Sequence, residues 1–197
     1  MFCKNDLTMS KKLLLFVLLA FSLVGNSFAK ETSFKLTSSD IHEGQMLTKD
    51  QVFNGFGCTG LNKAPALNWT AVPEGTKSLA ITAYDPDAPT GSGWWHWVVF
   101  NLPADLKSIP TNYGSPEKVS TLGKEIVSSR TDFGKAGFGG ACPPVGDKPH
   151  RYIFTVWALK VDHLPLDENS PAAMVGYYLN QNVIKKASLT ALYQRAK

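Results

Sequence analysis

The sequence predicts a mainly β protein: an antiparallel β-sandwich with one or two short helices, one of them near the C-terminus. Three observations carry this. Alternating or two-sided apolar runs of strand length recur along the chain. The connections between them are irregular and rich in glycine and proline. A helical stripe appears once, and late.

Taken in order, Phe34-Lys35-Leu36-Thr37 alternates apolar and polar residues as a half-buried strand does. Leu67-Asn68-Trp69 reads as a short strand after the turn-rich Asn62-Lys63-Ala64-Pro65. Residues 78–84 give a stronger one, with Leu79, Ile81 and Ala83 on one face and Ala80, Thr82 and Tyr84 on the other. Residues 95–102 and 151–160 are apolar on both faces, so they belong inside a sheet covered on each side. Residues 105–117 and 133–149 form long loops, the kind that carry function or lack order. Gly134, Gly137, Gly139, Gly140 and Gly146 lie in the second, where they allow close backbone approach. It lacks the spacing of a nucleotide-phosphate loop. Near the end, Ser170 is placed to cap a helix with Pro171 at its first position. Met174, Val175, Tyr178, Leu179 and Val183 form its apolar stripe, and Lys185 and Lys186 suit its C-terminal end. Residues 189–193 read as a short final strand.

The N-terminus reads as a secretory signal, residues 1–29, removed before Lys30. Lys11 and Lys12 precede an apolar run of about a dozen residues, and Ser27-Phe28-Ala29 supplies the small residues of a cleavage site. That run is too short for a permanent membrane span, the alternative reading. Residues 30–197 then make one domain, periplasmic or secreted. Without Lys4, Lys11, Lys12 and Asp6 it carries 17 basic and 15 acidic residues, with no dense basic run, so nucleic acid is not an expected partner. Cys58 and Cys142 remain as a pair, for which a disulfide is the default in an oxidising compartment. The alternative is two separate buried thiols.

The chemistry concentrates in residues 84–101. Tyr84-Asp85-Pro86-Asp87-Ala88-Pro89 is a strand end running into two acids stiffened by two prolines. After Thr90-Gly91-Ser92-Gly93 comes Trp94-Trp95-His96-Trp97, a strand that opens with three indoles around one imidazole. Alternation places His96 on the face of Trp94 and Val98. His150 opens another strand and shares a face with Tyr152, while Arg151 faces the other way to meet a carboxylate. Taken singly, Asp87 reads equally well as a turn cap, and His96 reads first as a satisfied core residue. Together with Asp85 and His150, at strand ends among prolines and aromatics, they form a small-ligand constellation. His42 and His163 are assigned no role.

These segments resemble the phosphatidylethanolamine-binding protein family, also called the Raf kinase inhibitor protein family. The resemblance rests on Asp85-Pro86-Asp87-Ala88-Pro89, on Trp94-Trp95-His96, and on Cys142-Pro143-Pro144 with Gly146 and His150-Arg151-Tyr152. Gly55-Phe56-Gly57-Cys58 with Asn62, Pro65, Leu67 and Trp69, and Gly137-Phe138-Gly139-Gly140-Ala141-Cys142, are similar to its periplasmic bacterial branch. The family implies a Greek-key β-sandwich with a small anion pocket at one end, which takes phosphate and phosphorylated headgroups. Carried over by position, Asp85, His96 and His150 line it, and Asp87, Ala88, Pro89, Trp94, Pro143, Pro144 and Tyr152 form its walls and rim. Cys142 stands where animal members carry glycine, and the 90–93 link is shorter than theirs. Inhibition of a Raf-type kinase is therefore not carried over.

The expected function is a binding or regulatory protein for a small anion, with no cofactor and no metal. A protein partner is possible, and so is a homodimer in which Tyr113, Phe133 and Phe138 take part if they do not simply pack over the core. The competing class is a hydrolase or metal-dependent enzyme built on the same Asp/His pocket. No nucleophile motif supports hydrolysis, and a Cys58–Cys142 disulfide removes the thiol. Asp85, Asp87, His96 and His150 could supply four zinc ligands, but rigid prolines and aromatic walls favour an anion.

Overall fold

A computed structural model describes residues 33–116, 123 and 125–197. The expected signal segment lies outside the described residues. The chain forms β1 (Lys35–Thr37), a 3-10 turn (Lys49–Gln51), β2 (Asn54–Gly55), β3 (Cys58–Thr59), β4 (Leu67–Thr70), β5 (Ser78–Asp85) and β6 (Trp94–Pro103). It continues with β7 (Ser108–Ile109), β8 (Val127–Ser128), β9 (His150–Leu159), α1 (Ala172–Asn182) and β10 (Val183–Tyr193). Among the described residues the fold is mainly β with one α-helix, near the C-terminus. One sheet runs β10-β9-β5-β6-β8, a smaller one β1-β4-β7, and β2 and β3 make a hairpin. All strand pairs are antiparallel.

The two-sided apolar strands sit where their pattern demands. β5 lies between β6 and β9, and both faces of this trio are covered. Leu79, Ile81, Ala83, Trp97, Val99, Phe154 and Val156 meet Leu36, Leu67, Trp69 and Ile109 of the small sheet. On the other face Ala80, Val98, Phe100, Trp157 and Leu159 pack with Ala172, Val175 and Leu179 of α1. Each fully buried valine, leucine, isoleucine or phenylalanine among them contributes about 1.5–3 kcal/mol.

Two irregularities break the alternation of β6. Leu79 and Ile81 face Leu102 and Val99, so β6 holds one extra residue there. Asn101 absorbs it at φ 60°, and its Oδ1 accepts from the Leu164 N–H at 2.9 Å. Ala83 and Tyr84 face Trp97 and Trp95, so a second extra residue lies at His96. Trp97 and Val99 face the small sheet and Val98 faces the helix, whereas the His96 ring stands 5.1 Å from that of Tyr152 on the small-sheet side. His96 therefore leaves the face of Val98 that simple alternation gives it. Bulges re-aim single side chains in this way.

The C-terminal expectations change in detail. Ser170 does not cap α1: Pro171 holds the cap position, and the Ser170 hydroxyl donates to Asp167 Oδ1 and accepts from the Asp167 N–H, both at 3.0 Å. The buried helix face is Ala172, Val175, Gly176 and Leu179, while Met174 is 48% exposed. Strand β10 begins directly at Val183, so Lys185 and Lys186 lie in a strand. They fit there because β10 is an edge strand, where lysines discourage further pairing. Lys186 Nζ also lies 4.7 Å from the Trp157 ring centroid. The last strand is thus eleven residues long and pairs with the whole of β9.

Cys58 and Cys142 form a disulfide across 84 residues, with Cα atoms 6.0 Å apart. Closing a loop of that length restricts the unfolded chain by about 4–5 kcal/mol. A Cys58→Ser/Cys142→Ser variant is expected to lose most of that in urea unfolding; a loss below about 1 kcal/mol contradicts the loop-closure account. Leu179→Ala is expected to lose about 2–5 kcal/mol, while Met174→Ala stays within about 0.5 kcal/mol. Equal losses would contradict this assignment of the helix face.

Candidate functional site

Strand direction brings the site together. β5 runs antiparallel to both neighbours, so its last residue, Asp85, meets the first residues of β6 and β9. Those are Trp94 and His150, with His96 and Tyr152 one step further in. The turn after β5 closes on Asp85 itself: its Oδ1 accepts from the N–H groups of Asp87 (2.8 Å) and Ala88 (3.1 Å). An aspartate that bonds the backbone two residues on is a common turn device. Its Oδ2 accepts from His150 Nδ1 at 2.7 Å, and both side chains are buried. The other nitrogen of His150, Nε2, lies 3.4 Å from Asp147 Oδ2.

His96 is held from the loop of residues 133–149. Its Nδ1 donates to the Gly139 carbonyl at 2.7 Å, and the Gly139 N–H donates to the His96 carbonyl at 2.8 Å. A carbonyl only accepts, so Nδ1 carries the proton and Nε2 the lone pair in the neutral ring. Burial lowers the His96 pKa below its ordinary value, opposed in part by the Gly139 carbonyl and the Asp85 charge. The same loop packs closely on the backbone of residues 51–53 because Gly140 lacks a side chain: a Cβ there would lie 2.4 Å from the Gln51 carbonyl oxygen. Tyr152 remains a phenol, since burial and then the Asp85 charge push its pKa up.

These groups surround a cavity of about 220 Å³ lined by Phe56, Asp85, Ala88, Pro89, Thr90, Trp94, His96, Phe133, Cys142, Pro143, Pro144, His150 and Tyr152. Among the described residues no lysine or arginine lines it. Asp87, expected on its wall, stands behind it. Asp87 Oδ2 accepts from Arg151 Nε (2.8 Å) and the Arg151 backbone N–H (2.9 Å), and Oδ1 accepts from Nη2 (2.7 Å). The guanidinium holds the Asp87 pKa down to about 2. Arg151 thus clamps the proline turn to β9, and its outward facing agrees with the alternation. The four acids and imidazoles do not converge as ligands: among the described residues no group of three or more such side chains could hold a metal ion.

The comparisons with known proteins agree with the motif order and the antiparallel fold. The family model for phosphatidylethanolamine-binding protein matches residues 37–194. The chain belongs to the phosphatidylethanolamine-binding protein family. Within that family it is 54% identical over 166 residues to UPF0098 protein YbcL of Escherichia coli, covering 84% of this chain and 90% of that one. It is 49% identical to UPF0098 protein YbhB of the same organism, covering 81% and 99%. The crystal structure of E. coli YbcL, described as a new member of the mammalian family, matches with a TM-score of 0.79 over 82% of this chain and 98% of that one. A putative family homolog from Chlamydia trachomatis matches at 26% identity, TM-score 0.67, over 83% and 98%.

Reading the family motifs alone misses part of the cavity. Thr90, Phe56 and Phe133 line it too, and Cys142 does so besides forming the disulfide. Phe133 meets the rings of Trp94 and His96 at 5.4 Å, so it belongs to the cavity wall. Phe138 instead packs in the core against Trp97 and Phe154, and Tyr113 packs half-buried against the same core. The one signal for Phe56 was its place between two glycines just before Cys58, which marks a hairpin tip tied to the opposite loop.

The buried His96 sets a pH dependence of stability. Its folded pKa lies below the unfolded value of about 6.5, so the unfolded chain takes up the proton first and stability falls as pH drops below that value. His96→Asn keeps an N–H for the Gly139 carbonyl and cannot titrate. Between about pH 7 and pH 5 its melting temperature should fall less than that of the unmodified protein. Parallel slopes would contradict a neutral buried imidazole.

Proposed function

We propose that this member of the family is an exported protein, periplasmic or secreted, that binds small anions such as phosphate and phosphorylated headgroups. In this reading residues 30–197 are its single mature domain, and it acts by binding or regulating rather than by catalysis. One observation carries it: an apolar cavity whose floor holds the Asp85–His150 pair beside a neutral His96 with its lone pair on Nε2. The disulfide fits an oxidising compartment. Asp85 is committed to three hydrogen bonds and Cys142 to the disulfide, which leaves neither as a ready base or nucleophile.

The floor selects a charge state. A phosphate dianion beside the buried Asp85 is repelled, and among the described residues that line the cavity no guanidinium or ammonium offsets this. A singly protonated phosphate carries an O–H that the His96 Nε2 accepts. The second pKa of a phosphate monoester is about 6, so this form becomes abundant as pH falls from about 8 to 6. Binding is expected to be weak, because no bidentate clamp is present.

The test is a titration with phosphate and with phosphoethanolamine, by calorimetry or NMR, at pH 6 and pH 8, beside His96→Ala. Saturable binding that is tighter at pH 6 and lost in the variant is the expected result. Affinity that stays flat between the two pH values removes the protonated-ligand mechanism, and no binding at millimolar ligand removes the anion site.

A further inference from the structure

The mouth of the cavity differs chemically from its floor. Phe56 lines the cavity at the tip of the β2–β3 hairpin, yet it is 68% exposed. Its ring lies 5.8 Å from that of Phe133 and nearly parallel to it, at 12°. Phe133 continues the wall to Trp94 and His96.

Folding alone does not account for this phenylalanine. Phe56 and Gly57 form the two-residue turn, with φ of 52° and 80°. Such turns favour Asn-Gly or Gly-Gly, because a bulky L-residue is strained in the left-handed region. Burial returns little, since most of the ring faces solvent. The surroundings nevertheless hold the tip in place. The disulfide joins β3 to Cys142, beside Pro143 and Pro144 of the cavity wall. Arg195 fastens the same two sides, with Nη2 donating to the Gly57 carbonyl at 3.2 Å and Nη1 to the Pro143 carbonyl at 3.3 Å. Phe53 packs on Phe56 from within, at 5.3 Å. Strain that the surroundings maintain clusters at ligand clamps.

Charge decides what this rim accepts. Three carboxylates at this end of the sandwich have hydrogen-bond donors: Asp85 has His150 and the turn, Asp87 has Arg151, and Asp132 has the Trp95 N–H. Among the described residues Asp85 is the only carboxylate that lines the cavity, so the rim offers ring surface.

We propose that Phe56 and Phe133 form an outer subsite for a planar apolar group attached to the anion, so that the preferred ligand is a phosphomonoester of an aromatic alcohol. The proposal rests on the anion-binding reading of the floor. It makes Phe56 the residue that separates aromatic phosphates from phosphate itself.

Phenyl phosphate, inorganic phosphate and phosphoethanolamine are titrated at pH 6 into the protein and into its Phe56→Gly variant. Phenyl phosphate should bind roughly three- to tenfold more tightly than phosphate, the gain of one aromatic contact. In Phe56→Gly that ratio should fall towards one, while the melting temperature holds or rises because glycine relieves the turn. The proposal is overturned if phenyl phosphate has no advantage, if its advantage survives in the variant, or if phosphoethanolamine shows the larger Phe56-dependent gain, which would mark an ammonium site. Phosphate binding without a phenyl advantage removes only the outer subsite. Failure of all three ligands removes the anion floor and the subsite with it.

Discussion

The hydrogen bond between Asp85 and His150 organises this end of the molecule. It joins the end of β5 to the start of β9, 65 residues later, at 2.7 Å and away from solvent. The remaining oxygen of the same carboxylate folds the proline turn. One buried charge therefore shapes the turn, orients the imidazole and sets the sign of the field in the cavity. A buried carboxylate is tolerated only when its lone pairs are used, and here three donors use them. Outside it, Asp87 and Arg151 repeat the connection at the surface between the same two elements.

The second constraint is the bulge at His96. Without it, the imidazole would point towards the helix side and the cavity would lose one wall. With it, a residue of a central strand bonds to the loop at Gly139, while Gly140 lets that loop pack on the backbone of residues 51–53. The Gly-rich loop thus completes the site by approach of its backbone. The cavity that results is largely apolar: Pro89, Pro143 and Pro144 have no N–H to offer, and Phe56 and Phe133 add only ring surface.

Much of this was legible in the sequence, for identifiable reasons. The two-sided apolar runs located the central strands, because a strand between two covered faces has no polar side. Alternation placed Leu79, Ile81 and Ala83 opposite Ala80, and His150 and Tyr152 opposite Arg151. Alternation failed at His96, because a bulge adds a residue without any mark in composition. The helix end was misplaced because Lys185 and Lys186 suit an edge strand as well as a helix terminus. Asp87 read as a wall residue because its guanidinium partner lies 64 residues away, on a strand whose register only the folded sheet fixes. Phe133 was seen on its loop but not in the site, since its neighbours Phe56, Trp94 and His96 are all distant in sequence.

The same distances carry a consequence for how the molecule assembles. The bonds that define the site span 43 residues for His96 and Gly139, 65 for Asp85 and His150, and 84 for the two cysteines. The proline turn closes locally on Asp85, but no local segment can make these three closures, and long-range closures are the slow ones. The cavity is therefore a late product of folding and an early casualty of any opening of β9. A ligand seated in it draws on the integrity of the whole sheet, so occupancy couples to global stability and not to one loop.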